Sequence, residues 1–141
     1  SECSGPLVVI SADTAISMMA VNAKQELVGG VILPGPQLSL SALVKNTAQL
    51  PQIDLAAKAP ASILGKSTSS CLQNGFVLGT ASLLDGLAER FCAELGPQTA
   101  FYATGSLPAA LPAVDENVDA LVERAVQARP DMRRLDHLMR I

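Results

Sequence analysis

The chain has 141 residues, a length that suits one domain with a core of its own, and its hydrophobic content of 49% with 3% aromatic makes that core aliphatic. Charged residues are only 16%, which leaves apolar surface for a partner or a further domain. A formal net charge of −3 excludes nucleic acid as a main partner, because phosphate contacts need clustered Lys and Arg; the basic group Arg129, Arg133, Arg134 and Arg140 reads as a solvated helix face.

In chain order, residues 7–12, 15–21 and 27–33 are predicted as three short strands rich in β-branched residues, with a turn at Asn22-Ala23-Lys24-Gln25. Leu40, Leu43, Val44, Thr47 and Ala48 recur at helical spacing and predict a helix with one buried stripe, ended by Pro51. Residues 51–64 have no clear period. A long helix is expected from Ser69 to Glu94, with Leu72, Phe76, Leu83, Leu87 and Phe91 on one face. Gly75, Gly79 and Gly86 lie inside it, each costing roughly 1 kcal/mol against Ala, and so predict close backbone approach to another element. Gly96-Pro97 stops that helix. Gln98–Ala103 reads as a strand and Thr104-Gly105-Ser106 as a turn. Val118, Leu121, Val122, Ala125 and Val126 predict another amphipathic helix, and Pro130 can open a last short one. The fold class expected is α/β: a three-strand antiparallel meander followed by alternating helices and strands, which suits a ribonuclease-H-like layer.

Three cysteines, Cys3, Cys71 and Cys92, form no regular framework and suggest reduced thiols in a cytoplasmic protein. Cys71 and Cys92 fall in the helical pattern and read as packing residues. No apolar run reaches the ~18 residues of a membrane span. The N-terminus has no basic region of a signal peptide, and Ser1 in place of an initiator Met suggests processing or excision from something longer.

Each candidate motif carries two readings. Ser11-Ala12-Asp13-Thr14-Ala15 is either a turn presenting N–H groups to phosphate oxygens or an ordinary hairpin turn. Gly29-Gly30 and Pro34-Gly35 either admit a ligand or turn the chain at both ends of a strand. One residue of Ser67-Thr68-Ser69-Ser70 is a natural N-cap, and the helix start there can also receive an anionic group. Thr104-Gly105-Ser106 supports a nucleotide or simply turns. His137 is the only histidine and reads as a surface residue. No Ser/His/Asp arrangement, metal-ligand cluster, P-loop or dinucleotide fingerprint occurs.

Taken in order, these segments resemble type III pantothenate kinases. Gly29-Gly30-x-Ile32-x-Pro34-Gly35, Thr47-Ala48-x-Leu50-Pro51 and Gly65-Lys66-Ser67-Thr68, followed by Gly75 and Gly79, match that family's pattern. Ser11-x-Asp13-Thr14-Ala15 resembles its Asp-x-Gly-Thr-Ala segment, but Ser11 stands at the acidic position and Asp13 at the glycine. Ala103-Thr104-Gly105-Ser106 matches its Thr-Gly-Gly turn except for the last glycine.

The resemblance implies an actin-like ATPase superfamily fold, with residues 1–141 equivalent to the second of two domains and the N-terminal domain absent. It implies ATP-dependent phosphorylation of pantothenate for coenzyme A biosynthesis, with Mg²⁺ and a monovalent cation, K⁺ or NH₄⁺. Thr14, Gly29, Gly30, Thr104 and Gly105 become phosphate- or nucleotide-binding, Thr68 pantothenate-binding, and Ser11 the departure from the cation-binding aspartate. The catalytic base belongs to the N-terminal half, so no catalytic residue is expected here. Members dimerise, so a homodimer or a complex with a chain carrying the N-terminal half is expected. Three readings follow: an enzyme half inactive alone, a non-catalytic relative that regulates or binds a nucleotide or partner, and a fragment of a degenerate protein.

Overall fold

In a computed structural model of the chain, the residues described are 5–56 and 60–105. Strands β1 (Leu7–Ala12), β2 (Ala15–Val21) and β3 (Leu27–Pro34) form the expected antiparallel meander. Helix α1 (Pro36–Lys45) and helix α2 (Thr68–Leu95) follow, and β4 (Ala100–Gly105) returns to pair parallel with β1. The sheet order is β3-β2-β1-β4. This mixed α/β arrangement agrees with the fold class read from the sequence.

Local chemistry accounts for the turns. The Asn22 side-chain oxygen accepts from the N–H groups of Lys24 (2.9 Å) and Glu26 (3.0 Å), and Gln25 takes a positive φ of 67°. That is the Asx geometry by which asparagine substitutes for a backbone turn. A β-bulge interrupts β2–β3 pairing between Ala20 and Val21, and Gly29 sits there at φ 139°, where side-chain-bearing residues are strained.

Helix α1 opens on Pro36, as proline's fixed φ favours. It ends at Lys45 with Asn46 as C-cap, well before Pro51. Asn46 Nδ2 donates to Ala42 O at 2.7 Å, and Thr47 Oγ1 donates to Leu43 O at 2.8 Å. These polar side chains close the last turn, so Thr47 and Ala48 lie outside the helix the spacing predicts. Helix α2 starts at a capping box: Ser67 accepts from Ser70 N, and Ser70 accepts from Ser67 N. Ser67 is therefore the N-cap, and Thr68 is the first helical residue. Gly96, at φ 113°, ends the helix.

Two apolar clusters lie along α2. Its first half packs Leu72 and Val77 against Leu40 of α1 and Leu55 of the following segment. Its second half lays Leu84, Leu87, Phe91 and Leu95 on Val8, Met18 and Ala20 of the sheet. Leu7, Val9 and Val21 are buried on the opposite sheet face, with Ala100 and Tyr102 beside them. The central strand β1 therefore reads as a continuous apolar run rather than an alternating one. Asn74, buried within α2, donates from Nδ2 to Ser62 O (2.8 Å) and Ile63 O (3.2 Å), tying the preceding loop to the helix.

Several expectations need correction. The fourth strand runs Ala100–Gly105, so Thr104 and Gly105 end a strand instead of forming a turn. Leu83 is 42% exposed and leaves the buried face of α2. Cys71 is exposed, because it faces the loop rather than the core: its thiol donates to Gly65 O at 3.4 Å. At Gly75, Gly79 and Gly86 an added Cβ would meet nothing within 4 Å, so these glycines do not mark close approach within the chain. Cys3, His137, the arginine group and the two helices expected after residue 105 lie outside the described residues.

Gly86→Ala should raise stability by about 1 kcal/mol, the helix-propensity gain with no steric cost. Gly105→Ala should lower it, since Gly105 sits at φ 102° and a Cβ there would strike Ala12 O. Denaturant midpoints of the two variants check both signs.

Candidate functional site at the open end of the sheet

The β1–β2 hairpin, the end of β3 and the end of β4 meet at one edge of the sheet. Asp13 N–H donates to Ala15 O at 3.0 Å, which makes the hairpin very tight. Gly35 N–H donates to Thr14 O at 2.9 Å. A Cβ on Gly35 would lie 2.6 Å from both Asp13 O and Thr14 O, so only glycine lets the two segments touch. Gly105 presses on Ala12 from the other side. Helix α1 starts at this point: Gly35 is its N-cap and supplies no side-chain cap. Its first N–H groups and the positive end of its dipole therefore open beside Thr14.

The register sorts the sequence candidates. Ser11 pairs with Ser17 on one side and Thr104 on the other, so three half-buried hydroxyl residues form a row across the sheet. The row lies on the face that carries Leu7, Val9 and Val21, at the carboxyl ends of the parallel strands β1 and β4. Thr14 and Gly105 flank it. Gly29 and Gly30 do not join this group. Gly30 pairs with Met19, whereas Pro34 pairs with Ala15, four residues along the strand. At ~3.3 Å per residue that is roughly 13 Å away. A Cβ on Gly30 would strike Met18 O, and Gly29 occupies the bulge, so the local strand geometry accounts for both glycines. Beside them a cavity of about 300 Å³ lies between β3 and Arg90, Phe91 and Glu94 of α2.

Thr68 is exposed at the start of α2 and lines an apolar cavity of about 400 Å³ with Leu50, Cys71, Leu72, Gly75 and Phe76. A second cavity of about 250 Å³ shares Gly75 and Phe76 with it and extends past Gly79 to Ile16 and Pro34. A groove thus leads from Thr68 toward the hairpin end, on the α2 face of the sheet. Gly75 and Gly79 line it, and their missing side chains keep it open. Sequence reading missed this use of the two glycines, and it missed Asn74. The available signal for Asn74 was its place two residues after Leu72 and three before Val77, on the apolar side of the helix.

The donors at the sheet end are hydroxyls and backbone N–H groups. They suit phosphate oxygens. They do not reproduce the carboxylate that the family resemblance expects for a monovalent cation, because Ser11 stands there. Among the described residues no group of three or more His, Cys, Asp or Glu is placed to hold a metal ion. No described helix is long and apolar enough to cross a membrane.

Comparison with known proteins identifies the family. The family model for type III pantothenate kinase matches residues 1–90. The type III pantothenate kinase of Frankia alni is 38% identical over 115 residues, covering 82% of this chain and 45% of that protein. That of Koribacter versatilis is 40% identical over 103 residues, covering 73% and 37%. Type III pantothenate kinase 2 of Symbiobacterium thermophilum is 43% identical over 94 residues, covering 67% and 35%. The chain thus spans less than half the length of the curated relatives it matches. A crystal structure from Campylobacter jejuni, described as of the Baf family, superposes at a TM-score of 0.39 with 18% identity over 91% of this chain and 59% of that one; it carries no argument about the fold. With the family model covering well over half its residues, the chain belongs to the type III pantothenate kinase family.

Proposed function

We propose that the chain supplies the second half of a pantothenate kinase site: a single ribonuclease-H-like, actin-like ATPase domain over residues 1–141 that works in the cytoplasm with an N-terminal half. The observation that carries this reading is the meeting of Thr14, Gly35, Thr104 and Gly105 at the sheet end toward which the Thr68 groove runs. Nucleotide phosphates would sit against the hydroxyls and the uncapped start of α1. Pantothenate has hydroxyls, a carboxylate and a geminal dimethyl group. Its apolar part fits the Leu50–Leu72–Phe76 wall, and its polar part the Thr68 hydroxyl. A bound Mg²⁺ would neutralise phosphate charge; the described residues offer it no carboxylate set.

Phosphoryl transfer rests on positioning and charge neutralisation. In this reading the described residues position substrate and phosphate, and the base comes from the N-terminal half. A positioned base contributes roughly 10²–10⁴-fold in rate. The chain alone should therefore give no turnover in a coupled ADP-release assay with ATP, Mg²⁺ and pantothenate. Addition of an N-terminal half should restore it. Substrate-dependent turnover by the chain alone would place the base among these residues and overturn the division of labour. Pairing of two copies along the exposed side of α2, where Leu83 lies open, is part of the same reading; sedimentation at micromolar concentration checks it.

Ser11 favours a second reading, a non-catalytic relative that binds nucleotide or a regulatory partner. ATP binding without turnover in the reconstituted complex would select it.

Two substitutions test the groove. Thr68→Ala should leave stability nearly unchanged, since Ser67 is the cap, but weaken pantothenate binding in the reconstituted protein. Ser67→Ala should instead cost about 0.5–2 kcal/mol. Gly79→Ala should stabilise the helix by about 1 kcal/mol while narrowing the groove, so its melting temperature rises and its pantothenate affinity falls. Calorimetric titration beside thermal melting separates the two effects; parallel changes in both would remove the groove from the binding path.

A further inference from the structure

The apolar face of the sheet changes character along its length. Its first row across β2, β1 and β4 is Val21, Leu7 and Ala100; its second is Met19, Val9 and Tyr102; its third is Ser17, Ser11 and Thr104. Neighbouring strands lie about 4.8 Å apart, so the third row spans roughly 10 Å with no charged group in it. It ends at the carboxyl ends of β1 and β4, where ligands of open parallel strands bind. The uncapped start of α1 lies at the same edge, beyond Thr14.

Charge decides what such a row does. A carboxylate at the middle position would face incoming phosphate oxygens, and like charges at contact distance repel strongly in a partly buried site. A cation between them is then needed to make the contact favourable. A serine hydroxyl at that position removes the repulsion and donates a hydrogen bond instead. The nearest acidic group along the strand is Asp13, which is exposed at the hairpin tip, outside the row.

We infer that this sheet end receives the phosphate oxygens of a nucleoside triphosphate directly on the Ser11 row, with no monovalent cation between protein and phosphate. The inference rests on the kinase-site reading and adds to it a loss of the cation requirement. It concerns binding, so it does not depend on turnover.

The experiment is calorimetric titration of the complete protein with ATP at fixed Mg²⁺, once in potassium chloride and once in choline chloride of equal ionic strength. Unchanged affinity, within about twofold, is the expected result. Ser11→Asp should weaken binding about tenfold or more in choline and recover in potassium, because the introduced carboxylate then needs a counter-ion. Ser11→Asn, neutral and of similar size to Asp, should stay independent of potassium and so separates charge from bulk. Binding by the natural chain that requires potassium overturns the inference while leaving the kinase-site reading intact. If Asp13→Asn then removed that requirement, the cation would belong at the hairpin tip. Absence of ATP binding in either salt overturns both readings. Ser11→Asp binding equally well in choline would show that phosphate does not meet this row.

Discussion

The parallel pairing of β4 with β1 is the constraint on which the rest of the structure depends. Antiparallel neighbours can be joined by a turn, but a parallel return needs a long crossover. Here the crossover holds α1, an irregular segment and the 28 residues of α2. At 1.5 Å per residue α2 is about 42 Å long, whereas the six-residue strands β1 and β4 span about 20 Å. The helix therefore cannot bury its whole length on the sheet. Its second half covers Val8, Met18 and Ala20, and its first half overhangs and needs other cover. Leu40, Leu55 and their neighbours supply it, which gives the chain two apolar clusters along one helix.

The overhang has a functional consequence. It carries Thr68 and its cavity beyond the sheet, and it turns Gly75 and Gly79 into the groove while Val77 between them packs into the first cluster. Glycine is expensive in a helix interior, and here nothing within the described residues presses on it to offset that cost. An open groove is the one local gain available. The loop before α2 is held by side chains instead of by burial: Asn74 grips the Ser62 and Ile63 carbonyls, and Ser70 accepts from the N–H groups of Lys66 and Ser67. Ile63 and Leu64 consequently stand 66% and 74% exposed on a loop tied to the helix at several points.

The meander and the long helix were legible because their signals are local. Strand β2 shows alternating burial, Asn22 announces its turn, and Ser67 and Gly96 bracket α2. The end of α1 was misplaced because Asn46 and Thr47 stop the helix by back-bonding to its carbonyls, while Pro51 is the louder signal farther on. The limits of β4 were misplaced for a different reason. Thr104-Gly105 reads as a turn in isolation, but pairing with Ser11 and Ala12 extends the strand through it. Tertiary pairing overrides a local preference there, as it commonly does for strands. The site suffered the same limitation. Gly29-Gly30 and Thr104-Gly105 look alike along a line of letters, and only the pairing separates them, onto the two edge strands of the sheet with Thr104-Gly105 nearer the hairpin end.

The two parts of the candidate site approach one edge from opposite faces. The Thr68 groove runs along the α2 face toward Ile16 and Pro34, and the Ser11 row lies on the face bearing Leu7 and Val9. In the proposed kinase site, phosphate and acceptor would meet where both faces end, at the hairpin of Asp13 and Thr14. Gly35 and Gly105 hold that hairpin by backbone contact, with no room for a side chain at either position. Under that proposal, positioning for transfer would depend on the rigidity of two residues at a turn. This explains why the exacting glycines of the site are the ones clasping the hairpin, while those inside α2 leave space.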